Sequence, residues 1–124
     1  MSAHASMEAG AAGRAALEIA RLTREAALDR KGMDVVILDL RGLSSVADFF
    51  VLVSGHSPPH LKAVANQIER SLAQHGVPLY RRSGVPEDGW VVLDCVDVVT
   101  HILLKERREY YAIEELWEAA PRVP

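Results

Sequence analysis

The chain has 124 residues, 49% of them hydrophobic and 25% charged, with a formal net charge of −3. That length builds one ordinary core without a metal or disulfide staple. A single cysteine, Cys95, excludes an internal disulfide framework and suits a reducing compartment, so a cytoplasmic location is expected. The negative balance argues against broad affinity for nucleic acid, whose phosphates are met by many Lys and Arg contacts, and no sequence-specific nucleic-acid partner is expected. No apolar run approaches the roughly 20 residues of a membrane helix, so no membrane partner is expected either.

In chain order, residues 1–13 are rich in Ala, Ser and Gly, lack the basic-then-apolar order of a secretory signal, and read as a flexible extension. A domain is expected over 14–118 and a short C-terminal tail over 119–124. Leu17, Ala20, Arg24, Ala27 and Leu28 fall at helical spacing, widened by Leu22 and Ala26, with Gly32 offering a left-handed stop. Asp34 to Leu40 and Phe49 to Val53 are continuous apolar runs, read as neighbouring strands covered on both faces.

Ser57 before Pro58 reads as an N-cap and first helical position. Leu61, Val64, Ala65, Ile68 and Leu72 then make an apolar stripe that ends at Gly76. A strand, this helix and a short strand at Leu79 to Arg81 form a crossover unit whose strands should run parallel. Gly84, Pro86, Asp88 and Gly89 mark a loop, after which Trp90–Leu93 and Val98–Leu104 should form a hairpin joined at Asp94–Asp97. A mixed sheet follows. The last stretch, Glu106 to Trp117, reads as one helix stopping before Pro121, with Tyr111 and Trp117 pinning it to the sheet.

Enzyme chemistry finds little support in these residues. His56 and His60 are four apart but Ser57, Pro58 and Pro59 interrupt the helix between them, so they read as loop histidines and not metal ligands. Two acids on one strand face need a spacing of two, and no acid-any-acid triplet occurs in the chain. Asp94 and Asp97, three apart across a turn, could hold a metal only if the turn folded them together. His101 reads as a half-buried sheet histidine, about 13 Å along the strand from Asp97 and beyond hydrogen-bond reach. Cys95 lacks a cationic neighbour that would activate a thiolate.

Five blocks in order carry a likeness: Ala47 to Gly55, the helix from Leu61 to Leu72, Gly89 to Asp94, Asp97 to Ile102, and Arg108 to Trp117. Together they closely resemble the ribosomal silencing factor family, also called Iojap-like, from about Leu17 to Trp117. The resemblance implies a single α/β domain with a mixed, mostly five-stranded sheet, helices on both faces, and a fold distantly similar to nucleotidyltransferases. It implies binding to the large ribosomal subunit through its protein fourteen, steric block of small-subunit joining, and repression of translation when nutrients are short. No reaction and no cofactor are implied, and a homodimer when free is a further expectation. A nucleotidyltransferase-like nucleotide-binding protein is the alternative, on fold analogy and the Asp94–Asp97 pair.

If Trp90, Val92 and Asp94 share a strand face, the indole could be an exposed anchor beside a carboxylate, suited to a basic ribosomal protein. The blocks that resemble the family contain Trp90, Asp94, Asp97 and His101, which makes these the candidate partner-binding residues. Asp48 joins them, with capping of the turn before its strand as the other reading. Two positions depart from the family pattern, which usually has Gly where Val96 stands and Arg where Pro59 stands. A β-branched residue suits a positive φ poorly, so a different turn geometry is expected between Asp94 and Asp97.

Overall fold

A computed structural model describes the backbone from residue 2 and the side chains from residue 15 to residue 124. The side chains of the expected flexible extension over 1–13 lie outside the described residues. The first helix is α1 (Ser2–Asp29), followed by strands β1 (Met33–Asp39) and β2 (Phe49–Gly55), then α2 (Pro58–Gln74). Strands β3 (Arg81–Ser83), β4 (Trp90–Asp94) and β5 (Val98–Leu104) follow, and two short helices, α3 (Lys105–Tyr111) and α4 (Ile113–Leu116), close the domain.

The five strands form one mixed sheet in the order β1-β2-β5-β4-β3. β1 and β2 are antiparallel neighbours, as their consecutive apolar runs suggest, and β4 and β5 form the expected antiparallel hairpin. The parallel pair is β2 with β5. β3, antiparallel to β4, therefore runs in the direction of β2 but with two strands, β5 and β4, between them. The crossover through α2 thus brings parallel strands that do not touch, because the later hairpin supplies the strands between them.

Side-chain alternation divides the core in two. One face carries Ile37, Phe49, Val51, Val53, Val91, Leu93, Val98 and Ile102 beneath α1 and α2. The other carries Leu38, Leu40, Phe50, Leu52 and Leu103 beneath Ile113, Trp117 and Ala120 from the C-terminal segment. Every residue of β2 is buried, which explains why its sequence is apolar without alternation. Helix α2 follows its sequence closely. The Ser57 hydroxyl accepts a hydrogen bond from the His60 amide, Pro58 opens the helix, and Leu61, Val64, Ala65, Ile68 and Leu72 are the buried stripe.

Three expectations are corrected. On α1 the buried stripe is Ala16, Ala20, Thr23, Ala26 and Ala27, while Leu28 is 54% exposed. Alanines let the helix approach the sheet closely, so Leu17, Ile19 and Leu22 fill only the margins. The left-handed stop after α1 is Lys31 at φ 60°, not Gly32. Gly32 serves closeness: a Cβ there would sit 2.8 Å from Val53 Cγ1 and 2.9 Å from the Ala27 carbonyl oxygen. The single C-terminal helix is two, broken at Ala112, whose φ of 47° lets the chain turn Ile113 and Trp117 onto the sheet.

Residues 119–124, set apart as a tail, lie along the edge of β1. The Asp39 amide donates to the Pro121 carbonyl at 2.8 Å and the Val123 amide to the Ile37 carbonyl at 2.9 Å. They cover main-chain groups of an edge strand that would otherwise be open.

Candidate functional site

The candidate residues gather on the hairpin of β4 and β5 and on the loop that enters β2. Strand β4 alternates: Val91 and Leu93 are buried under the helices, whereas Trp90, Val92 and Asp94 are half-buried on the opposite face. Their cross-strand partners on that face are Leu103, His101 and Val99. β2 continues it with Phe50 and Leu52, which lie beside Val99 and His101. Helices α3 and α4 cover part of this surface, leaving Trp90, Val92, Val99 and His101 half-buried.

Trp90 is therefore less exposed than a free anchor. Its indole packs 4.6 Å from Tyr111 and 5.8 Å from His101, centroid to centroid, and its Nε1–H donates to His101 Nδ1 at 3.1 Å. His101 in turn meets Phe50 edge-on at 4.8 Å, and Phe50 meets Trp117 at 5.9 Å. Burial pushes the His101 imidazole down to about 4, so it is neutral at ordinary pH. Trp117 packs onto the sheet as its position suggested. Tyr111 packs against Trp90 while remaining 41% exposed.

The acids sit at one end of this face. Asp94 Oδ1 accepts the Val96 amide at 2.7 Å, folding the carboxylate over the hairpin turn. Val96 has φ 72° and bridges a bond from the Asp97 amide to the Cys95 carbonyl at 2.9 Å, a three-residue γ-turn. Valine here adopts a positive φ, and the Asp94 carboxylate holds the turn. Asp97 lies in the turn and not on β5, and its carbonyl accepts the amides of Asp48 and Phe49 at 2.8 and 3.1 Å. That joins Asp48 to Asp97. The Asp48 carboxyl is raised above its usual range, first by desolvation and then by the Asp97 charge.

The fold thus makes two pairs, Trp90 with His101 and Asp48 with Asp97, with Asp94 beside the turn. Among the described residues no three His, Cys, Asp or Glu side chains are placed to hold a metal. His60 has both ring nitrogens engaged, Nδ1 by the His56 amide at 2.9 Å and Nε2 by the Arg30 carbonyl at 2.7 Å. The Cys95 thiol is pushed up to about 11 by burial and by Asp94, far from a reactive thiolate.

Sequence reasoning overlooked Arg108. It is 7% exposed, pairs with Glu114, and donates from Nη1 to the Asp34 carbonyl and Ser54 Oγ. Tyr110, which the sequence sets at helical spacing with Ile113 and Trp117, is 78% exposed, and Leu116, which sequence reasoning did not single out, is 77% exposed. An arginine within Lys105–Tyr111 gives no periodic sign of burial, because the contacts that bury it come from β1, β2 and α4.

Comparison with known proteins decides the family. The model for "Ribosomal silencing factor during starvation" matches residues 14–124. The chain belongs to the ribosomal silencing factor family. A ribosomal silencing factor of Halalkalibacterium halodurans is 36% identical over 106 residues, covering 86% of this chain and 91% of that protein. The silencing factor of Bacillus subtilis is 35% identical over 103 residues, covering 83% of this chain and 87% of that protein. Among solved structures, a Chromobacterium violaceum protein superposes with a TM-score of 0.79 at 37% identity, covering 82% of this chain and 85% of that one. For a silencing factor a ribosome-associated role in silencing follows.

Proposed function

We propose that this chain docks on the large ribosomal subunit through its protein fourteen and sterically blocks joining of the small subunit, repressing translation in the cytoplasm under nutrient limitation. The observation that carries the reading is the half-covered sheet face. Trp90, Val92, Val99 and His101 form an apolar, aromatic surface that ends in Asp94, Asp97 and Asp48. Aromatic groups beside carboxylates suit recognition of a basic protein, the aromatics giving contact area and the acids giving orientation and register.

Co-sedimentation with isolated large subunits tests it. The unaltered chain should pellet with them and should lower their association with small subunits. Trp90→Ala combined with Asp97→Lys should abolish pelleting, Asp97 being preferred because its backbone and not its carboxylate holds the fold. Trp90 is half-buried, so a circular-dichroism melt of the double variant must show a retained fold. Pelleting unchanged in a folded double variant would move the docking surface elsewhere.

A further inference from the structure

We infer that His101 is a positioning residue, which fixes the direction of the Trp90 indole so that the docking face is set before a partner arrives. The inference rests on the docking reading above and assigns His101 a role within the face other than contact.

The indole N–H donates to His101 Nδ1 at 3.1 Å, so Nδ1 carries the lone pair and the proton of the neutral ring lies on Nε2. Nε2 is buried and is the one buried side-chain polar atom without a hydrogen-bond partner among the described residues. Buried polar groups are rarely left so, and an apolar side chain at this position would fill the same space without an orphan donor. The neighbouring groups offer nothing better: Phe50 lies edge-on at 4.8 Å, and Leu52 and Val92 flank the ring along the ladders. What the imidazole supplies that a leucine cannot is an acceptor for the indole.

Trp90 does not need that acceptor in order to be satisfied. It is half-buried, and a side chain so placed can turn its N–H toward water. The bond therefore selects a rotamer and leaves satisfaction nearly unchanged. Tyr111, 4.6 Å away, also packs against the indole, so that the ring is held by contacts from both strand β5 and helix α3. A large aromatic side chain that must be ordered on binding weakens association, and one already ordered does not. Burial keeps the imidazole unprotonated at ordinary pH, so Nδ1 stays available as the acceptor.

His101→Leu removes the acceptor and the orphan donor together, whereas His101→Asn offers Oδ1 close to the place of Nδ1. Two readouts are taken on each folded variant. One is the Trp90 indole N–H resonance in a ¹H–¹⁵N spectrum, assigned in a Trp117→Phe background; the other is affinity for isolated large subunits. His101→Leu should shift the indole resonance and weaken binding about three- to tenfold, the range expected for ordering one large side chain. His101→Asn should return both toward the parent. An indole resonance unmoved by His101→Leu would overturn the bond, and a shifted resonance with undiminished binding would overturn the positioning role. If the parent chain does not bind large subunits, the docking reading falls and the positioning role with it, while the indole resonance still reports whether the bond exists.

Discussion

Arg108 and Glu114 meet in a two-pronged pair, Nε to Oε1 and Nη2 to Oε2, each at 3.0 Å, across the break between α3 and α4. The guanidinium is almost fully buried and its third nitrogen reaches the Asp34 carbonyl at 2.7 Å and Ser54 Oγ at 3.0 Å. One side chain therefore ties the left-handed residue at Asp34, the end of β2 and the left-handed break at Ala112. The arginine beside it holds the Glu114 carboxyl below its usual range. Removing the arginine leaves the part-buried Glu114 carboxylate, the Asp34 carbonyl and the buried Ser54 hydroxyl without that partner. Arg108→Ala should destabilise the domain by about 3 kcal/mol in urea denaturation. Arg108→Met, which keeps the volume, should cost less. Equal losses in the two variants would show that the pair, and not the volume of the side chain, is all that Arg108 contributes.

The pH dependence of stability should carry the mark of His101. Its imidazole is pushed from 6.5 to about 4 by burial, so between these values the unfolded chain binds a proton that the folded chain refuses. Stability should thus be unaffected by this residue above about pH 6.5 and fall as pH drops toward 4, by about 3 kcal/mol over the whole window. Glu114 acts in a separate window. Its lowered carboxyl adds stability that is lost only as pH falls below its ordinary value of 4.5. Chemical denaturation of the parent and of His101→Asn at pH 7 and pH 5 separates them. A parent that loses no more than the variant would contradict the buried, neutral imidazole.

Val96 is a branched residue in a left-handed turn, φ 72° and 57% exposed, a position that glycine occupies with less strain. Val96→Gly should raise stability by about 1 kcal/mol, the relief of backbone strain exceeding the added freedom of the unfolded chain. Thermal melts report it. A lowered melting temperature would mean that the Asp94 cap and the surrounding turn accommodate valine without strain.

Gly84 is held more tightly. At φ 79°, a Cβ there would lie 2.2 Å from the Trp90 carbonyl oxygen, which is backbone and cannot step aside. Gly84→Ala should therefore displace the start of β4 and cost about 3 kcal/mol or more. Because Trp90 is the residue displaced, the variant should also lose the parent's near-ultraviolet circular dichroism from the Trp90–Tyr111 pair. An unchanged spectrum and stability would place the loop on a softer path than the close contact implies.

Helix α2 and the paired apolar runs of β1, β2, β4 and β5 were legible in the sequence because the signals are local. Ser57 and Pro58 set a helix start, and Leu61 to Leu72 repeat at the helical period. The order of strands was less so. Nothing in Phe49–Gly55 states that its parallel neighbour is β5, where Phe49 pairs with Val98 and Gly55 with Leu104. At the site, alternation placed Trp90, Val92 and Asp94 on one face correctly, but the Trp90–His101 bond and the burial of Arg108 arise from contacts between distant elements. A helical period also could not tell that α1 would bury alanines and turn Leu28 outward, since that depends on how closely the sheet lets the helix approach.

The C-terminal segment bears on both stability and solubility. Pro121 and Val123 satisfy main-chain groups of β1, Ala120 is buried against the second core, and Val123 packs on the first. Arg122 adds little, being 3.9 Å from Glu114 and mostly exposed. Deleting residues 119–124 should remove about two hydrogen bonds' worth of net stability together with the apolar burial, about 2–3 kcal/mol in all. It should also open the edge of β1, whose Val35, Val36 and Ile37 would then face another chain with unpaired amides and carbonyls. The truncated chain is expected to melt lower and to associate as its concentration rises, seen by light scattering. Replacing Val123 by Asp should reproduce the lower melting point with less association, because the strap's main chain can still cover the edge. A truncated chain that associated no more than the parent and melted with it would show that the edge is protected by the bulge between Met33 and Val36 instead.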